Sequence, residues 1–71
     1  MSDSIDIYDR EILRYLLRKI KPATIHEIAN ALKLSWNTVR IHLLKLRDLG
    51  LVECKQGKRV SYWYVKRRNS D

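Results

Sequence analysis

What this chain has little of narrows its possibilities first. One cysteine, Cys54, excludes an internal disulfide. Two glycines, Gly50 and Gly57, are each accounted for by a turn, so no glycine-rich loop is left to cradle a nucleotide phosphate. Two histidines, His26 and His42, are too few for a metal site unless two further ligands join them. No nucleophile is spaced with a base, and no pair of carboxylates suggests a pocket. An enzyme is therefore not expected, and neither is a cofactor, a metal or a small-molecule effector. No apolar run approaches the about 20 residues of a membrane span. The first nine residues carry Asp3, Asp6 and Asp9 and no base, which is not how a signal peptide begins; an intracellular, cytoplasmic location is expected. Internal repeats, low-complexity stretches and linkers are absent too. The 71 residues are read as one domain over 1–71, with an acidic start (1–5) and a basic tail (66–71). A domain of that size needs an efficient core or a partner subunit.

What is present is positive charge, unevenly placed. The formal net charge is +7, and residues 33–68 hold ten Lys or Arg against only Asp48 and Glu53. That polarity suits a polyanion, with nucleic acid first. A charged, solvated surface is the plainer alternative.

Hydrophobic spacing gives the elements. In "DIYDREILRYLLRKI" (6–20), Tyr8, Ile12, Leu16 and Ile20 form an i, i+4 row, with Leu13 and Leu17 beside it: an amphipathic helix, with Asp6 as its N-cap. Its apolar band is wider than one core contact needs. "TIHE" (24–27) is a capping box before a short helix whose apolar face is Ile25, Ile28, Ala29 and Leu32. Ser35 caps a third helix that Gly50 ends. Two helices joined by about three residues must cross steeply. After Gly50 the period changes to two. "LVECK" and "RVSYWYV", with "QGK" between them, predict a hairpin. Val52 and Cys54, then Val60, Tyr62 and Tyr64, are the expected inward positions.

The third helix raises a question. Val39, Leu43 and Leu46 face a core, yet Trp36, Ile41 and Leu44 lie elsewhere on the helix, beside Asn37, Arg40 and Lys45. The stretch "IHEIANALKLSWNTVRIHLLKLRDLGLVE" resembles the winged helix-turn-helix transcription regulators of the ArsR and MarR type. It has their "IA" pair, "L-x-L-S" at the turn, "T-V" opening the recognition helix, "H-L" within it, and then "L-x-x-L-G-L-V-E". The likeness covers residues 24–65. It implies an α+β fold, a three-helix bundle with a C-terminal β-hairpin wing. It also implies a double-stranded DNA partner, with the third helix (36–49) in the major groove and the wing (51–65) on the backbone or minor groove. Two features differ from that pattern. Cys54 is single and in a strand, where ArsR-type metal sensors pair cysteines on a helix. Only about six residues follow the wing, where MarR-type proteins add long helices.

On this reading Asn37 is suited to adenine N6 and N7, Arg40 to guanine O6 and N7 or to phosphate, and Ile41 to a thymine methyl. Trp36 lies along the sugar-phosphate backbone or packs under the first helix. Ser35 and Thr38 cap the helix and are placed to donate to phosphate. Lys45, Lys58 and Arg59 are further expected contacts, the last two at the wing tip. His42 is expected on a phosphate or a backbone carbonyl, and Leu44 against a partner subunit or the tail. A homodimer is expected, because one winged helix reads few base pairs. Its surface is sought on the first helix at Tyr8, Leu13, Tyr15 and Leu17, with Trp63 and Val65 nearby. The rival functions are a winged-helix protein-docking module and a non-specific or architectural nucleic-acid binder.

Overall fold

The computed structural model describes residues 5–66; Asp3 and the basic tail beyond Lys66 lie outside the described residues. The first helix, α1 (Ile7–Arg18), starts on a reciprocal box made from two aspartates. The Asp6 carboxylate accepts from the Asp9 amide at 3.0 Å, and the Asp9 carboxylate accepts from the Asp6 amide at 3.1 Å. The helix stops two residues earlier than its apolar row predicts. Lys19 turns extended (φ −84°, ψ 137°), and Pro22 disfavours helix at Lys21. Ile20 is therefore off the helix and 97% exposed, not the last member of the row.

Helix α2 (Ile25–Leu32) begins on the expected Thr24–Glu27 box, with bonds of 3.1 and 3.0 Å. It ends at Lys33, which adopts the left-handed conformation (φ 58°) although it carries a side chain. The Leu34 amide then donates back to the Ala29 carbonyl at 3.0 Å, so the tight turn before the third helix is bonded closed. A non-glycine residue there costs about 1–2 kcal/mol, part of which glycine regains at the expense of a freer unfolded chain. Lys33→Gly is expected to stabilise by about 0.5–1 kcal/mol, read as a higher melting temperature. An unchanged or lower one contradicts strain at this turn.

Helix α3 (Trp36–Asp48) is capped by Ser35, whose Oγ accepts from the Thr38 amide at 3.1 Å. It closes in a Schellman motif. The Gly50 amide donates to Arg47 at 2.9 Å and the Leu51 amide to Leu46 at 3.0 Å, with Gly50 at φ 80°. Strands β1 (Val52–Gln56) and β2 (Ser61–Val65) pair antiparallel, with Val52 opposite Val65 and Cys54 opposite Trp63. The turn between them is tight at Gly57. A Cβ there would lie 2.7 Å from both the Tyr62 ring and the Val60 carbonyl oxygen.

The hairpin gains a third partner that its pattern does not announce. Ala23, between α1 and α2, exchanges two backbone bonds with Trp63, at 2.9 and 2.7 Å. This bridge fixes the phase of β2. Trp63 is buried, while Val60 and Tyr62 are exposed, so the expected inward set of Val60, Tyr62 and Tyr64 is the wrong face of that strand. A one-residue difference in phase exchanges every side chain between faces. In an "SYWYV" run nearly every residue is apolar or aromatic, so alternation alone cannot set that phase. The remaining core follows the sequence: Ile12 and Leu16 from α1, Ile28 and Ala29 from α2, Val39, Leu43 and Leu46 from α3, and Val52 from β1.

Candidate nucleic-acid interface

Val39, Leu43 and Leu46 form the buried face of α3, and the other side chains fall into three groups around it. Asn37 and Ile41 face solvent, Ile41 with 54% of its surface exposed. Trp36, Arg40, Leu44 and Arg47 line a cleft of about 620 Å³ between α3 and the hairpin. His42 and Lys45 turn the other way, to α1.

The cleft carries the charge. Arg40 and Arg47 stand on its helix side and Arg59 on its hairpin side, with His26 at the start of α2. None of the described residues lining it is acidic. Trp36, Leu44, Val60 and Trp63 add apolar side chains to the same lining. Such a combination fits a phosphodiester strand, whose sugars are apolar and whose phosphates accept bidentate bonds from arginine. Trp36, half exposed, also borders a second groove beside the α2–α3 turn, lined by Asn30 and Lys33. Leu44 is half-buried against the core and lines the cleft; the tail, one of the partners expected for it, lies outside the described residues.

Among the residues expected to touch DNA, Asn37, Arg40, Ile41, Lys58 and Arg59 are exposed. Ser35 and Thr38 are committed to each other. The Ser35 hydroxyl donates to the Thr38 hydroxyl at 2.8 Å while accepting from its amide, which leaves capping as the visible role of Ser35. Lys45 is redirected. Its ammonium lies 2.6 Å from Oδ2 of Asp9 and 3.9 Å from Asp6, on the α1 side. Arg47 and His26 are cleft residues that sequence reasoning did not single out. Arg47 was findable: it is seven residues, two turns, after Arg40 and shares its flank.

His42 also departs from expectation. Its Nδ1 is 2.7 Å from Oδ1 of Asp9, and its ring lies against Tyr8 with centroids 5.5 Å apart. Asp9 is fully buried, the one buried charged side chain among the described residues. Burial alone would raise its pKa. Hydrogen bonds from Lys45, from the Asp6 amide and from His42 outweigh that and hold the carboxyl below its ordinary value of 3.8. Asp6, Asp9 and His42 offer ligand atoms within 4.8 Å of one another, the further ligands that the sequence did not reveal for a histidine. The Lys45 ammonium, 2.6 Å from Asp9 and 3.9 Å from Asp6, already gives these carboxylates a cationic partner.

On α1, the four residues sought as a dimer surface separate. Leu17 is 60% exposed and Tyr8 45%, whereas Leu13 and Tyr15 are half-buried against the core, with the Lys19 ammonium 5.7 Å from the Tyr15 ring centroid. Trp63, also considered for that surface, is buried, and its indole N–H has no acceptor among the described residues.

The model of the bacterial regulatory protein family named for arsR matches residues 10–53, from early α1 to the start of the hairpin. The chain belongs to this arsR family. It is a family of regulatory proteins, not of enzymes. The chain is 42% identical over 55 residues to MJ1398 of Methanocaldococcus jannaschii, described as an uncharacterised HTH-type transcriptional regulator. That stretch is 76% of this chain but 14% of the relative. Among solved structures, a mutant of Lactococcus lactis ZitR superposes with a TM-score of 0.80 at 27% identity, over 93% of this chain and 47% of its own. The Zalpha domain of Carassius auratus PKZ, solved with Z-DNA, superposes with a TM-score of 0.73 at 26% identity, over 82% of this chain and 90% of that domain. The chain thus spans about half of ZitR and a small part of MJ1398. No helix among the described residues is long and apolar enough to cross a membrane.

Proposed function

We propose that this arsR-family chain is a sequence-specific duplex-DNA-binding transcription regulator. Helix α3 enters the major groove, and the hairpin lies on the adjoining backbone or minor groove. The observation that carries this reading is the composition of one surface. Three arginines line the α3–hairpin cleft without a carboxylate, beside an exposed Asn37 and Ile41. A docking module for another protein would have no need to keep that surface free of negative charge. An isoleucine turned to water is also explained, because thymine methyls make the major groove partly apolar.

Roles divide between helix and wing. Asn37 and Arg40 read base edges, so Asn37→Ala and Arg40→Ala should each cost about 1–3 kcal/mol and relax preference at one position of the site. Arg59 and Lys58 hold phosphates, so Arg59→Ala should weaken all duplexes nearly equally. Binding measured on a panel of single-base variants checks both. If Arg59→Ala changes the preferred bases and Arg40→Ala does not, the division is reversed. The Zalpha likeness supplies a second reading, recognition of left-handed DNA. Parallel titration with a Z-form and a right-handed duplex separates the two, and the major-groove reading expects the right-handed one to bind more tightly.

A homodimer completes the reading, since two copies double the bases read, with half-sites about 34–36 Å apart. The exposed apolar side chains of α1, Ile7, Tyr8 and Leu17, are its best material. Because Leu17 is exposed, Leu17→Glu should leave the subunit folded yet separate the copies. Sedimentation at micromolar concentration checks this; a wild-type monomer both free and on DNA removes the dimer. The intracellular location expected from the sequence follows from this function.

A further inference from the structure

The one buried carboxylate among the described residues joins the first helix to the recognition helix, and the proposed function does not use it. Asp9 is part of the turn that starts α1, where it accepts from the Asp6 amide at 3.1 Å. It also holds His42 at 2.7 Å and Lys45 at 2.6 Å, two side chains three residues apart on one flank of α3. Two attachment points on one helical flank resist rotation of the helix about its own axis. Rotation is the motion that would carry Asn37 and Ile41 off a base edge.

We propose that Asp9 is a positioning residue for DNA recognition, setting the rotation of α3 through His42 and Lys45, and that His42 protonation tightens this latch and raises DNA affinity. The inference rests on the reading of α3 as the DNA-recognition helix. The charged and titratable groups facing His42 are Asp6, Asp9 and Tyr8 from α1 and Lys45 from its own helix. With neutral imidazole, Asp6, Asp9 and Lys45 sum to −1. A proton on His42 brings the cluster to zero and turns its bond to Asp9 into a charge-assisted one. A more firmly held helix has less disorder to lose on binding.

The test measures affinity for a duplex at pH 5.5 and 7.5, across the range where imidazole ordinarily changes charge. The full chain is compared with His42→Gln, Asp9→Asn and His26→Gln, and each variant is checked for folding by its thermal transition. His26 is the chain's other histidine and lines the DNA cleft, so its variant separates direct titration at the interface from titration at the latch. The wild type should bind about fivefold more tightly at the lower pH, a modest coupling on the usual scale. His26→Gln, which removes a cleft side chain, is expected to lower affinity at both pH values while a ratio well above one remains. His42→Gln should bring it close to one, and Asp9→Asn, where it folds, should do the same. A ratio that survives in folded His42→Gln, or vanishes only in His26→Gln, overturns the latch while leaving DNA binding in place. Absence of duplex binding at either pH instead overturns the regulator reading beneath it.

Discussion

Asp9→Ala should be among the most damaging single substitutions in this chain, costing about 3 kcal/mol. The residue is fully buried, and three donors converge on it: the Asp6 amide, His42 and Lys45. Removing it takes the nearer anion from His42 and Lys45, which keep Asp6 only at 3.8 and 3.9 Å, and opens half of the box that starts α1. The loss stays near the low end for a buried pair because the Lys45 side chain keeps 36% of its exposure and can return to water. In a domain this small, that corresponds to a fall in melting temperature of roughly 12–24 °C. The effect has a pH signature. The carboxyl titrates below its ordinary value in the folded protein, so its contribution is complete above the ordinary carboxylate range and is lost as pH falls through the lower, folded value. Wild-type stability should therefore drop on acidification below about pH 4, and part of that drop should disappear in Asp9→Ala. Thermal unfolding of both proteins between pH 2.5 and 7 checks this. Equal melting temperatures at pH 7 contradict the reading of the cluster as a structural ion pair.

The second large effect is on affinity. Contacts from Arg47, Arg59 and Lys58 to phosphates release condensed counterions, and each phosphate neutralised adds roughly −0.9 to the slope of log affinity against log salt. With these three contacts the slope should be about −2.7, so a fourfold rise in salt weakens binding about fortyfold. Arg47→Ala should reduce the slope by about one, since Arg47 lines the same acid-free cleft as Arg40 and Arg59. A titration from 50 to 200 mM salt reads both. A flat response removes the electrostatic interface, and an unchanged slope in Arg47→Ala removes that residue from it.

The sequence was informative wherever a local rule determines structure. The Thr24–Glu27 box, the Ser35 cap, the Gly50 stop and the 3.6-residue spacing of Val39, Leu43 and Leu46 each appear as expected, because each depends on neighbours within one or two helical turns. What was missed depends on distant partners. The phase of β2 is fixed by Ala23, forty residues earlier in the chain. Lys45 and His42 looked like surface groups of a DNA-binding helix until Asp9, more than thirty residues away, was folded against them. The same holds for the wide apolar band of α1: it divides into core contacts at Ile12 and Leu16 and exposed positions at Ile7 and Leu17, a division that spacing alone does not make.

The central claim is that α3 reads a defined duplex sequence, and selection of bound sequences from a random duplex pool tests it most directly. The account predicts one enriched motif with two-fold symmetry and half-sites about one helical turn apart, and a loss of preference at one base pair of each half when Arg40→Ala is selected in parallel. A pool that binds but shows no enriched sequence, or the same motif with and without Arg40, would contradict it.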